Sequence, residues 1–495
     1  MIKAFQLERF FCVLFFVRIL TLILLNVIFI TIKQSNMLPS FTDGFFSVDP
    51  KHGFLPIAEP LAKLPESFSA LQSLIDEMPI VKDDGSPGLL ASEGAFEKAV
   101  LALPNYLTDV QTEKDPFVLA ALFRAYGFVT SAYTLAPSHY SFVKMGKYGE
   151  AHEVLPANVA QPFAAVADKL EVYPWIDYHY AYSLGNYQKI DKTKGLEWTN
   201  LAMAAKFSGM DDERGFIMLH VDINQYSPDL VKAVYGIVEN ENRDDLNRDV
   251  HLLADTLNKM NDRRRLMWEA SRWKHYNDFR VFIMGVKGND DIFPNGLLYE
   301  GVWEEPKAYR GQTGAQDNII PTADIVSGVI HYYPQNQLTS YLMDLRQYRP
   351  MCIQNFFKEL AEQMSKKPLA QRLIEDDNQR GMQGLMKAYE EIYLFRNGHW
   401  QFVQKYIMQN TAYPKATGGT PITSWIPNQI KAVLSAMKVL STAMRSTPEF
   451  SMEEWQEGYD KKVKLLNKQL EIVAVDAFDP EAVFKLNLEL GYQDF

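Results

Sequence analysis

The chain has 495 residues, 47% of them hydrophobic and 22% charged, which is the balance of a folded protein of one large domain or two and excludes a disordered chain. A formal net charge of −11 argues against nucleic acid as a partner, because a phosphate-binding face needs clustered lysine and arginine. Cys12 and Cys352 are the only cysteines, so neither a disulfide framework nor a thiolate metal site can be built, and a reducing compartment, the cytoplasm, is expected.

Residues 10–32 form an almost unbroken apolar run, interrupted by Arg18 and Asn26 and preceded by Lys3 and Arg9. The run is long enough to cross a bilayer. Arg18 near its middle costs only about 3 kcal/mol on translocon-type scales, which the surrounding Leu, Ile and Phe offset. Residues 1–36 are therefore read either as a membrane anchor or as a mis-assigned start, with translation from Met37 the favoured alternative. A cleaved signal peptide is disfavoured, since no small-residue cleavage site follows.

From 38 to 87, Pro, Gly, Ser and Asp punctuate short apolar pieces, an extended lead-in with first helices. Three- and four-residue apolar spacing then predicts helices over 117–135, 159–170, 230–238, 249–273, 325–332, 355–364 and 381–408. Alternating strand runs are scarce, so the expected fold is all-α. Tyr-rich irregular sequence over 174–199 marks a soft boundary. It divides a small N-terminal helical domain, 37–185, from a large C-terminal one, 186–495.

On the helix over 381–408, Tyr389, Ile392, Tyr393, Arg396, His399, Trp400 and Val403 form one stripe. Arg396 in that stripe needs a counter-charge. His399 is either a core histidine satisfied by a carbonyl or an iron ligand, and Gly398 beside it leaves room for a flat macrocycle. Phe216 and His220 lie four apart on one helical face, the wall of a pocket or simply part of a core. Arg280 sits among large apolar neighbours, suited either to a carboxylate in a dry site or to an interhelical salt bridge. The run Arg263-Arg264-Arg265 reads as a solvated face. Thr-Gly-Gly-Thr-Pro over 417–421 reads as a mobile loop, a lid over a pocket. The zinc, serine-hydrolase and dinucleotide motifs are absent.

Taken as an ordered set, Val154-Leu155-Pro156-Ala157-Asn158, Arg214-Gly215-Phe216, Tyr299-Glu300-Gly301-Val302-Trp303-Glu304-Glu305-Pro306-Lys307, the helix through Arg396 and His399, and Ala416-Thr417-Gly418-Gly419-Thr420 resemble the indoleamine 2,3-dioxygenase family. That resemblance implies haem b bound in the large helical domain. It implies cleavage of the indole C2–C3 bond of L-tryptophan with O2 to N-formylkynurenine, the first step of the kynurenine pathway, with an electron donor to keep the iron ferrous. It gives His399 as the proximal iron ligand, Arg396 as the contact to a haem propionate with Asp324 as its acidic partner, and Gly314 as the small residue beside haem and substrate. Arg280 would take the substrate carboxylate and Thr417 its ammonium, while Tyr133 and Phe216 would line the indole pocket.

The sequence departs from the family pattern in two places. His220 stands where the animal enzymes have serine and is similar to the distal histidine of tryptophan 2,3-dioxygenases, which orients the indole nitrogen. His275 and Tyr276 replace an aromatic pair ahead of Arg280. The second departure motivates an alternative, another indole as substrate, beside a further one, haem or gas binding without turnover.

Overall fold

A computed structural model of the protein describes residues 38–333, 337–408 and 425–473; the apolar run at 10–32 and Thr417 lie outside them. The expected all-α architecture is present, with the longer helices α1 (Pro116–Met145), α2 (Ala157–Lys169), α3 (Asp211–Asn224), α4 (Ser227–Glu239), α5 (Arg243–Arg265), α6 (Ile319–Ser327), α7 (Gln337–Arg346), α8 (Met351–Lys366), α9 (Gln379–Val403), α10 (Trp425–Ser441) and α11 (Met452–Val473). Among the described residues, strands occur only as three two-stranded pairs. One of them joins Val154–Leu155 in parallel to Leu298–Tyr299.

Helix starts follow local chemistry, because the first amides of a helix lack partners within it. Asp115 accepts from Phe117 N at 2.8 Å ahead of α1, whose first residue is Pro116. Asn242 accepts from Asp244 N at 2.9 Å and Asn378 from Gly381 N at 3.1 Å, opening α5 and α9 in the same way. α1 ends at Gly146, which takes the left-handed conformation (φ 70°) that a glycine adopts without steric cost.

One continuous hydrophobic core runs from Leu38 to Leu466. α1 is long and apolar enough to cross a membrane, yet it is buried throughout that stretch, as suits the central helix of a core. The segment over 174–199 differs from its expected role as irregular boundary sequence. Tyr178, Tyr180 and Tyr182 form a π-helical turn packed on α1 and are fully buried.

α9 lies along α5 and is covered on another side by α10, while α3 and α4 also pack on α5. α6 rests on α8 and α9. These contacts leave the inward ends of α3, α5, α6, α7 and α9 facing one another around a single space.

Candidate functional site

That space is a cavity of about 340 Å³. α3 supplies Phe216 and His220 to its wall, α5 Arg264, α6 Asp324, α7 Arg346, and α9 Arg396 and His399. Tyr276 and Gly314 come from the connecting segments.

The imidazole of His399 projects from the stripe of α9, yet its surface is open, and what it opens onto is the cavity rather than bulk water. Neither ring nitrogen has a hydrogen-bond partner among the described residues. Burial lowers its pKa to about 4, helped by the nearby Arg264 charge and by His220, so the ring is neutral at physiological pH. A neutral, unpartnered imidazole has a lone pair to give.

His220 faces the same cavity in a different state. Its Nδ1 lies 2.9 Å from the Phe216 carbonyl oxygen one turn back. A carbonyl can only accept, so Nδ1 carries the proton and Nε2 is left as an acceptor. Burial holds the pKa down against the pull of Asp317. A Cβ added at Gly314 would lie 3.8 Å from that Nε2, an ordinary contact, so the protein itself does not crowd this position.

Arg396 finds the counter-charge that its place in an apolar stripe demanded. Nη2 meets Asp324 Oδ2 at 2.5 Å and Nη1 donates to the Gln429 carbonyl at 2.9 Å. Asp324 also accepts from the Tyr333 hydroxyl, yet burial still raises its pKa. Its Oδ1 is buried without a partner among the described residues.

The sequence profile of the indoleamine 2,3-dioxygenase family matches residues 43–448, most of the chain. The chain belongs to the indoleamine 2,3-dioxygenase family. Indoleamine 2,3-dioxygenase 1 of Mus musculus is 26% identical over 372 residues, covering 73% of this chain and 84% of the relative. Indoleamine 2,3-dioxygenase of Saccharomyces cerevisiae is 22% identical over 73% of this chain and 79% of its own length. A protein named myoglobin from Haliotis madaka is 29% identical over 27% of this chain and 34% of its own length.

Within this member of the indoleamine 2,3-dioxygenase family, the cavity brings together His399, Arg396, Asp324, His220, Phe216 and Gly314. It does not include Tyr133, which lies in α1 and stacks on His152 at 4.9 Å; the tyrosine that reaches His220 is Tyr178, edge-on at 5.7 Å. Tyr133 came from the family resemblance, whereas Tyr178 sits in a turn with no helical period to mark it. Arg280 is fully buried but stands off the cavity wall, where its charge opposes the burial that raises the Tyr148 and Tyr276 hydroxyl pKa values. Of the departing pair, Tyr276 lines the cavity, while His275 faces Asp278 at 3.0 Å.

Two further expectations change. The space beside Gly398 is taken by Arg264, whose guanidinium a Cβ at Gly398 would strike, so the glycine admits an arginine rather than a macrocycle. The triple-arginine run is accordingly not a solvated face throughout. Arg263 pairs with Asp222 at 2.6 Å, Arg265 with Asp262 at 2.8 Å, and Arg264 between them is buried at the cavity wall. Arg349, which also lines the cavity, gave no signal, because an isolated arginine after a helix looks like surface sequence.

Proposed function

We propose that the chain is a haem b-dependent dioxygenase that cleaves the indole C2–C3 bond of L-tryptophan to give N-formylkynurenine. The observation that carries this is the pair of unlike imidazoles on one cavity: among the described residues His399 has no hydrogen-bond partner and His220 keeps an unused acceptor.

The residues fit haem b. Among the described residues, no cluster of three His, Cys, Asp or Glu side chains could hold a bare metal ion, whereas a lone neutral histidine suits a metal that brings its other ligands with it. Four arginines and two aspartates line the cavity, an excess of positive charge suited to a ligand carrying two carboxylates. His399 would hold the iron, and Arg396, with Asp324 behind it, would meet a propionate. Ferrous haem, kept reduced by an electron donor, supplies the binding and activation of O2.

The chain's own part is placement. His220 Nε2 accepts the indole N–H and so sets which way the ring faces, with Phe216 and Tyr276 flanking it. Apolar surface dominates the wall and keeps water away from the reacting carbons. Gly314 leaves the position beside His220 uncrowded. Arg280 is assigned the substrate carboxylate, which it would reach past Tyr276, and Thr417 the ammonium, both by family resemblance.

The similarity to a protein named myoglobin favours a second reading, gas binding without turnover. Reduced, haem-loaded protein mixed with L-tryptophan and air separates the possibilities. N-formylkynurenine absorbance is expected to rise with time. Turnover of other indoles but not of tryptophan would reassign the substrate, and a stable gas complex with no product would favour the second reading.

A further inference from the structure

Arg346 ends α7 on the cavity wall, and among the described residues no carboxylate meets it directly. Among the described residues it has neither an ion pair nor a hydrogen bond; it lies over the Phe357 ring at 5.7 Å. Each described carboxylate nearby holds another partner, and Asp324, whose Oδ1 is left over, attracts Arg346 without pairing with it. Asp344, two residues earlier, holds Lys287 at 3.0 Å and Arg310 at 2.5 Å. Asp324 holds Arg396 and Tyr333. Asp317 accepts from Tyr178 at 2.7 Å and Asn224 at 2.8 Å.

Arg349 makes the position less comfortable still. Its guanidinium is fixed by neutral oxygens, those of Asn318 at 3.0 Å, Leu345 at 3.0 Å, Ala315 at 3.1 Å and Asp317 at 3.0 Å, and its charge repels that of Arg346. Two like charges held close at a largely apolar wall destabilise the empty protein unless an anion joins them.

We infer that Arg346 is the second carboxylate clamp of the cavity, binding a propionate of the bound porphyrin beside the one met by Arg396. This rests on the haem reading above. The source of the carboxylate follows from location. Arg346 acts electrostatically on Asp324 and Tyr333, the same two residues that hold Arg396, so both cations serve one part of the cavity. The substrate's indole, in contrast, is oriented at His220 on α3.

The test compares Arg346→Gln and Arg346→Lys with the unaltered protein, using haem b and its dimethyl ester, which keeps the ring and iron but carries no negative charge. Affinity is read from the rate of haem transfer to apomyoglobin, and the melting temperature is taken without porphyrin. Arg346→Gln is expected to weaken haem b binding about tenfold, the loss of one charge-assisted contact. It should leave the ester's affinity unchanged and the porphyrin-free melting temperature equal or higher. Arg346→Lys should retain most of the haem affinity.

Equal weakening of haem b and ester, or a fall in the porphyrin-free melting temperature with no selective loss, would overturn the inference. So would unchanged haem affinity together with weaker spectral binding of tryptophan but not of tryptamine, which would move the carboxylate to the substrate. An unaltered protein that takes up haem b and its ester equally well defeats this inference and the propionate role of Arg396, and leaves haem binding through His399 standing. One that takes up neither defeats the haem reading as well.

Discussion

His399 and His220 differ by a single hydrogen bond, and that difference divides their labour. The Phe216 carbonyl fixes the proton of His220 on Nδ1 and leaves an acceptor facing the cavity, while nothing among the described residues engages His399. A core histidine ordinarily ends on a carbonyl or carboxylate, since an unmet polar atom in an apolar setting costs about 1–3 kcal/mol. His399→Ala should therefore abolish specific haem uptake. The check is the ferrous-CO Soret band, and a normal band in that variant would remove His399 from the iron. That Arg396 needs a counter-charge was legible because a charge inside an apolar stripe must be answered, while Asp324 as the partner came from the family resemblance. Arg264 was not legible, because in a run of three arginines sequence alone gives no sign that the middle residue turns inward while Arg263 and Arg265 pair with Asp222 and Asp262.

At the scale of helices, the position of His220 depends on how closely α3 meets the turn Met267–Ala270. A Cβ at Gly215 would collide with the Ala270 carbonyl oxygen, so this glycine of the Arg-Gly-Phe motif permits the approach. Gly215→Ala is expected to cost about 1–3 kcal/mol, the usual penalty for overpacking, and to displace α3 together with Phe216 and His220. Denaturant unfolding measures the cost, and a variant as stable as the parent would show that α3 is free to shift. Helices with a strong apolar period were readable, and their ends less so. The expected helix over 249–273 instead begins at Arg243 behind the Asn242 cap and stops at Arg265 before two short turns, because the apolar pattern continues through all three pieces. The expected helix over 325–332 is split by Gly328 at φ 80°, a stop that its glycine could have announced. The turn Tyr178–Tyr182 was missed because Tyr alternating with His and Ala carries no helical period. Buried Asp177, accepting from Ala181 N at 2.8 Å, is what lets it close inside the core.

Across the whole molecule, that buried turn makes stability depend on pH in two opposing senses. His179 is enclosed beside Asn318, and burial lowers its pKa from 6.5 to about 3, so it stays neutral in the fold. The unfolded chain binds a proton at this histidine below pH 6.5 and the folded one does not, so the contribution is complete above 6.5 and declines as pH falls toward 3. Asp177, pushed up to about 7 by burial, acts the other way: protonated in the fold and ionised when unfolded, it favours folding at low pH and loses that effect as pH rises through 7. A raw melting curve mixes the two. His179→Gln removes one of them, so its stability deficit should shrink as pH falls from about 6.5, by about 1.4 kcal/mol per unit at most. A deficit independent of pH would mean that His179 takes up its proton equally readily in the folded and the unfolded chain.

α9 is fastened along its length. Asn378 caps its start, Tyr389 donates to the Ser327 carbonyl at 2.8 Å, and beyond its end the Tyr406 hydroxyl reaches the carbonyl of Met267 at 3.1 Å. An imidazole mounted on so firmly moored a rod cannot travel toward or away from what binds it. The gap between the two histidine-bearing helices then works as a calliper, and a guest is admitted according to whether its combined depth matches the jaws rather than by how far the jaws can be forced apart.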